Sequence, residues 1–374
     1  MKKILYVRNY PSEVNINSYN LQEIGLGREL VKKGYDCDIV YYSKDKEYEK
    51  QNIFSTKENE LNIIWMKGLK IFNYVIFKRL LNKSILSQYD LIISTEYSQP
   101  MSYIFCKLNI IPVIIYHGPY QDGKKMYLFQ KIYDLFAIKV INKNARKVFV
   151  KSDLAYEYLK AKKIGSISTL GVGLNTSNFL NVNTDLTNDI KELTNFRFLL
   201  YIGQLNERRN IFFLLKVFKK VLEKNKDIKL VLVGNGKEAD INKYKNFAKN
   251  IGVSNNIIHF EKLDQRSLPF LYLNADVFLF PSNYDIFGMV LLESMYFGVP
   301  VISSVNGGAV TLIKNGFNGL VISEFNEENW LNAIEELLNN KDLSKRLSTQ
   351  SKKTIRKSYT WEKVADNLLS ELQL

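Results

Sequence analysis

Short apolar runs alternate with longer stretches of helical periodicity from the start of the chain. Positions 3–7, 38–42, 91–94, 113–116 and 148–150 read as buried strands. Between them, 18–33 (stopped by Gly34), 101–108 and 126–142 carry apolar residues at helical spacing. Strand–helix alternation of this kind predicts a parallel sheet. Around Gly171-Val172-Gly173 the pattern loosens, and the polar stretch 175–188, rich in Asn and Thr, reads as a linker. The alternation then restarts, with strands over 198–202, 228–233, 257–260 and 277–280 and a helix over 211–223. The stretch 343–372 reads as helices broken near Ser358, with Trp361 opening the last and Val364, Leu368 and Leu372 on one face. The predicted class is α/β: two doubly wound parallel sheets facing a cleft.

The segment 281–300 carries the densest chemistry. The run Val277-Phe278-Leu279-Phe280 predicts a strand, Pro281-Ser282-Asn283 a turn, 288–297 a helix and 299–303 the next strand. Asp285 then lies at the strand's carboxyl end and Glu293 on the helix, with seven residues between them. In open α/β sheets ligands bind in the crevice at the carboxyl ends of the strands. A helix amino end presents unpaired N–H groups and partial positive charge, so phosphate fits there without a lysine. Gly288 lets a ligand approach the backbone closely. Carboxylates repel phosphate, so Asp285 and Glu293 are expected to face hydroxyls, which a sugar and a ribose flanking a diphosphate would supply. The bland alternatives are Asp285 as a helix cap and Glu293 as a solvated helix residue.

The loop Gly203-Gln204-Leu205-Asn206-Glu207-Arg208-Arg209 follows the first strand of the second half, and Arg209 is expected on a phosphate, against the alternative of a solvated basic loop. His117 follows a buried strand and precedes Gly118-Pro119, which expects it at the carboxyl end of the first sheet, in the cleft; a core or turn histidine is the alternative. His259, within Ile257-Ile258-His259-Phe260, reads as structural. Gly234-Asn235-Gly236 and Gly25-Leu26-Gly27 both lack the third glycine of a dinucleotide fingerprint, and no Walker A sequence occurs, which counts against a dehydrogenase or an NTPase.

The chain has 374 residues, enough for two domains, and 46% apolar residues support full cores. Its net charge of +14, from 52 basic and 38 acidic residues, points to an anionic partner. Cys37 and Cys106 read as buried reduced thiols, and no cluster has metal-ligand spacing. Without a signal-peptide pattern or an apolar stretch of membrane-spanning length, a cytoplasmic protein is expected. Two tracts, 61–89 and 123–147, interleave lysine and arginine with large apolar side chains, a composition suited to an anionic membrane surface; an ordinary helix with a lysine-rich face is the alternative.

These residues resemble the retaining glycosyltransferases of family 4, which have the GT-B fold of two Rossmann-like domains. The similarity spans nearly the whole chain and is strongest over 198–321. The family brackets a Phe-Gly with two acids separated by seven residues; here these are Asp285, Phe287-Gly288 and Glu293, with Asp in place of the usual first Glu. The resemblance implies that Asp285 contacts donor-sugar hydroxyls, that Glu293 binds ribose, and that amides near Gly288, Met289 and Val290 hold sugar and diphosphate. The family's Gly-Arg-Leu loop is represented by Gly203-Gln204-Leu205, where Gln204 removes one positive diphosphate contact, and Arg209 matches its phosphate-binding lysine. Gly307-Gly308 matches a Gly-Gly near the donor, and His117 a histidine beside sugar and acceptor. Asn17-Ser18 replace the family's Gly-Gly after the first strand, a diphosphate or acceptor loop, and 19–25 looks like the corresponding stretch of capsule and cell-surface polysaccharide transferases.

The resemblance thus implies an acceptor-binding domain over 1–172, a nucleotide-sugar-binding domain over 173–355 and a helix over 356–374 returning to the first. It implies a hexosyltransferase-type, metal-independent enzyme without a resident cofactor. Its partners would be a nucleotide-sugar donor, a glycan or lipid-linked acceptor and the inner face of the plasma membrane, with no nucleic acid. A sugar-nucleotide epimerase on the same fold and a basic nucleic-acid-binding protein are the alternatives; one histidine is thin provision for the first, and no recognition motif supports the second.

Overall fold

A computed structural model describes residues 2–18, 21–123, 127–179 and 186–374. The chain forms two compact units, Met1–Asn175 with Thr360–Leu374, and Thr176–Tyr359.

The first unit is built on an eight-stranded sheet. Its strands are β1 (Lys2–Val7), β2 (Tyr35–Ser43), β3 (Tyr48–Ser55), β4 (Glu60–Lys67), β7 (Leu91–Thr95), β8 (Val113–His117), β9 (Ala145–Val150) and β10 (Ile167–Thr169); β5 (Leu69–Ile71) and β6 (Tyr74–Ile76) form a separate hairpin. The order is β10-β9-β8-β7-β1-β2-β4-β3, parallel throughout except where β3 runs antiparallel to β4. Both faces of β7 and β8 are buried, which is why they read as unbroken apolar runs. Helices α1 (Gln22–Lys32), α2 (Lys83–Leu86), α3 (Pro100–Leu108), α4 (Tyr127–Asn144) and α5 (Asp153–Ala161) connect the strands. The expected helix over 18–33 begins at Gln22, and positions 19 and 20 of the resemblance lie outside the described residues. So do 124–126, the start of the expected helix over 126–142 and part of the second basic tract, and 180–185 of the expected linker.

The tract 61–89 is not a lysine-faced helix. It supplies the inner strand β4, the hairpin β5–β6 and the short α2, because its apolar residues Leu61, Ile63 and Ile64 sit in the sheet core. The pair β3–β4 goes unpredicted because β3, an edge strand exposed along much of its length, has no apolar pattern to read.

The second unit holds a six-stranded, wholly parallel sheet: β11 (Phe198–Ile202), β12 (Lys229–Val233), β13 (Ile257–Phe260), β14 (Val277–Phe280), β15 (Val301–Ser304) and β16 (Leu320–Ile322). Their order, β13-β12-β11-β14-β15-β16, reverses direction between β11 and β14. The helices are α6 (Asn188–Lys191), α7 (Ile211–Lys224), α8 (Glu238–Asn250), α9 (Leu268–Asn274), α10 (Met289–Phe297), α11 (Gly307–Leu312), α12 (Glu327–Asn339) and α13 (Lys341–Ser358). The core packs Trp330, Phe218 and Tyr201 among leucines and valines of β11, β12, α7 and α12.

Helix α13 continues to Ser358, so the return to the first unit begins at Thr360 rather than at 356. There α14 (Trp361–Leu372) is capped by the Thr360 hydroxyl, which accepts from Lys363 N at 3.3 Å. The Trp361 indole lies on α1 at Gly25, where an added Cβ would meet Nε1 at 2.2 Å; only glycine admits this approach.

Candidate active site

The reversal of strand order in the second unit brings two loops together at the carboxyl ends of β11 and β14. The loop 203–210 leaves β11 and the loop 281–288 leaves β14; Asn283 N donates to Arg208 O at 2.9 Å and ties them. Within this frame Arg209 Nη1 donates to the Asp285 carboxylate at Oδ2 and to Ser282 Oγ at 3.1 Å. The guanidinium lies over the Phe280 ring, 5.1 Å from its centroid, and its Nε is buried with no hydrogen-bond partner among the described residues. Asp285 turns its other oxygen to the backbone: Oδ1 accepts from Phe287 N at 3.1 Å and Gly288 N at 2.7 Å.

Asp285 therefore fixes the loop that leads into α10 while also carrying the counter-charge of Arg209; the helix cap itself is Gly288, so Asp285 is not the N-cap that the alternative reading expected. Gly288 (φ +71°) lets the chain turn into the helix, whose leading amides at Met289 and Val290 precede the intrahelical ladder. Below the loop runs α11. Gly307 N donates to Asp285 O at 2.9 Å, and a Cβ on Gly308 would meet Phe287 O at 1.6 Å, so this Gly-Gly lets α11 press against 285–287.

Glu293 is not a solvated helix residue. It is 1% exposed on the inner side of α10, and the Tyr272 hydroxyl of α9 donates to its Oε2 at 2.9 Å. Gln204 is exposed; its Oε1 accepts from Asn206 Nδ2 at 3.1 Å, and its carbonyl accepts from the Tyr201 hydroxyl at 2.9 Å. Gly203 N donates to Val233 O at 2.9 Å at the same end of the sheet. His259 Nε2 lies 2.9 Å from Gly234 O, a structural placement.

In the first unit the strand order reverses between β1 and β7. Asn9, just past β1, is fully buried: its N donates to Thr95 Oγ1 at 2.9 Å and its Nδ2 to Ser94 Oγ at 2.9 Å. Directly after β7 stands Glu96, which sequence reasoning missed. It is 3% exposed, sits in the left-handed region (φ +60°), and brings Oε2 to 2.6 Å from His117 Nδ1. Gly118 N donates to the same oxygen at 2.9 Å, and Lys151 Nζ lies 3.9 Å from Oε1. Burial opposes ionisation of Glu96, but His117, Lys151 and the Gly118 N–H outweigh it and hold the carboxyl below its usual value.

His117 is itself buried, its ring stacked on Tyr158 and edge-on to Tyr97, and among the described residues its Nε2 has no hydrogen-bond partner. The Glu96 carboxylate beside Nδ1 orients the ring. The only available signal for Glu96 was its place after an apolar strand, the same signal that singled out His117. Asn17 and Ser18 form an exposed turn on Asn15: Asn17 N donates to Asn15 Oδ1 at 3.0 Å and Ser18 N to Asn15 O at 2.9 Å. Among the described residues no group of three His, Cys, Asp or Glu side chains is arranged to hold a metal ion, and no helix is long and apolar enough to cross a membrane.

Residues 183–354, nearly all of the second unit, match the family model "Glycosyl transferases group 1". An uncharacterized glycosyltransferase of Methanocaldococcus jannaschii is 29% identical over 169 residues, 45% of this chain and 43% of the relative, so the chain spans under half of that protein. A second uncharacterized glycosyltransferase of the same organism is 25% identical over 344 residues, 89% of each chain. The capsular polysaccharide biosynthesis glycosyltransferase CapM of Staphylococcus aureus is 25% identical over 253 residues, 64% of this chain and 63% of the relative. Among solved structures, HepE of Anabaena in complex with UDP and glucose superposes with a TM-score of 0.71 at 13% identity, covering 100% of both chains. The fold is the mixed α/β fold of GT-B glycosyltransferases, with two Rossmann-like units of parallel sheet.

Proposed function

We propose that this protein is a retaining glycosyltransferase. It moves a hexose-type sugar from a nucleoside-diphosphate donor to a glycan or lipid-linked acceptor in cell-surface polysaccharide synthesis, with no metal ion. The observation that carries the reading is the convergence of Arg209 with the leading end of α10 at the β11–β14 reversal. Helix-end amides and a guanidinium match the charge that a departing nucleoside diphosphate develops. Glu293, held by Tyr272, offers a fixed carboxylate to ribose hydroxyls. The UDP and glucose bound by HepE support a nucleotide-sugar donor, and CapM supports the polysaccharide role.

In this reading the bond from the anomeric carbon to the phosphate oxygen breaks, and the nucleoside diphosphate leaves with the electron pair. The acceptor hydroxyl bonds to the vacated face, and its proton passes to the departing phosphate. Within the second unit Asp285 positions the sugar, and Arg209 and the amides of Gly288, Met289 and Val290 stabilise the diphosphate; within the first unit His117, beside Glu96, is the candidate ligand group. A panel of nucleoside-diphosphate sugars, scored for hydrolysis and for transfer to glycan and lipid-linked acceptors, tests the reading. One donor is expected to be turned over, with turnover lost in Glu293→Ala and the anomeric configuration kept in the product. No turnover of any donor, or full activity in the variant, overturns it, and an inverted product overturns retention.

A further inference from the structure

Helix α4 carries large apolar side chains on more than one face, but only one of those faces is buried. Ala137 and Ile141 pack into the first unit's core, with Tyr133, Ile138 and Val140 against it. The opposite face repeats at helical spacing as Leu128, Phe129, Ile132, Leu135 and Phe136, and is open to solvent, with Leu128 68% and Phe136 64% exposed. A soluble helix ordinarily turns lysine and glutamate outward at these positions.

The hairpin β5–β6 continues the feature. Leu69, Ile71 and Phe72 are exposed around Lys70, and Phe72 forms the tip at φ +53° with 80% exposure. Both α4 and β6 pack on α3, which makes the helix and the hairpin neighbours of one element. Exposed Lys139 and Lys143 continue along α4, and the acid of that helix, Asp134, is turned away to Lys162 (2.6 Å) and Gln130 (2.7 Å). An exposed apolar stripe of this extent marks an interaction surface.

From this arrangement we infer that the outer face of α4, with the β5–β6 tip, docks into the interface of an anionic lipid bilayer. The apolar side chains enter the acyl boundary, and Lys70, Lys139 and Lys143 meet the headgroups. A second copy of the chain is the poorer occupant, because a two-fold contact would set this basic rim against itself. The inference is independent of the activity reading.

Sedimentation of the full chain with vesicles tests it. Binding is expected to vesicles of equal phosphatidylcholine and phosphatidylglycerol, weaker in high salt, and about tenfold weaker to phosphatidylcholine alone. Phe129→Ser with Phe136→Ser, and separately Lys139→Glu with Lys143→Glu, should each cut the partition coefficient at least about tenfold. Circular dichroism and turnover of soluble donor should stay unchanged, so loss of docking and loss of activity are read apart. Absence of binding to anionic vesicles, unchanged binding in both double variants, or a wild-type dimer that the serine variant dissociates would overturn the inference.

Discussion

Arg209 and Asp285 neutralise one another across the point where the second sheet reverses its strand order, and Asp285 spends its remaining oxygen on the backbone that opens α10. The cation proposed to meet a diphosphate is thus held in place by a carboxylate that also fixes the loop leading into the helix.

Asp285→Asn separates these two duties. The amide oxygen can still accept from Phe287 and Gly288, so the unfolding midpoint should move by no more than about 5 °C. The counter-charge is gone, and donor kcat/KM should fall by about a hundredfold. Asp285→Ala removes both functions and should cost a further ~1–2 kcal/mol of stability. Thermal melts beside donor turnover check this; equal activity in the Asn variant would remove Asp285 from the site.

The alternation of strands and helices was legible because buried parallel strands such as β7, β8 and β14 are continuous apolar runs. The candidate site in the second unit was legible because its residues lie in two short segments at strand ends. What escaped was long-range. Nothing local in Glu96 announces that it will meet His117, 21 positions on, because that contact depends on β7 and β8 being neighbours. The ion pair of Arg209 with Asp285 was hidden for the same reason: each was readable alone, as a phosphate ligand and a sugar ligand, and their pairing depends on β11 lying beside β14. The Tyr272 hydroxyl on Glu293 likewise joins α9 to α10.

Glu293→Gln should keep the shape of α10 and, by reorienting its amide, a contact with the Tyr272 hydroxyl, so the fold survives while donor turnover drops by about a hundredfold or more. Tyr272→Phe tests the support alone. Losing one hydrogen bond to a buried carboxylate should cost ~1–3 kcal/mol in urea unfolding and raise the donor KM more than it lowers kcat. A Tyr272→Phe enzyme with wild-type KM would show that the hydroxyl does not steady Glu293 for a ligand.

Gly308→Ala probes the support beneath the loop. Its methyl group would have to occupy the space of Phe287 O, so the loop 285–287 must lift or α11 must move. Stability should fall by about 3 kcal/mol or more. Loss of donor binding should exceed what the lost stability explains, because the displaced segment carries Asp285 and leads to the amides of α10. Isothermal titration with the donor's nucleoside diphosphate, below the variant's melting range, separates the two effects; wild-type affinity there would disconnect α11 from the site.

The pairing of Glu96 with His117 makes a prediction with a defined sign. The carboxyl of Glu96 is held below its usual value in the folded protein, so its ionised form stabilises the fold. That contribution is fully present above the unfolded-state pKa, near about 4.3, and is lost as pH falls through the lower folded value. Glu96→Gln keeps the size and, through its amide oxygen, the acceptor for Gly118 N, but has no charge to lose. The wild type should exceed the variant in stability by ~1–3 kcal/mol between about pH 6 and 8, and the gap should close as the solution is acidified below about pH 4. Urea unfolding across that range reads the gap directly, and a gap independent of pH would mean that Glu96 is not ionised in the fold. Catalysis gives the second readout: a histidine whose ring is no longer held should lower kcat for transfer by about tenfold or more with little change in donor KM, whereas a purely structural loss would leave kcat per folded molecule where it was.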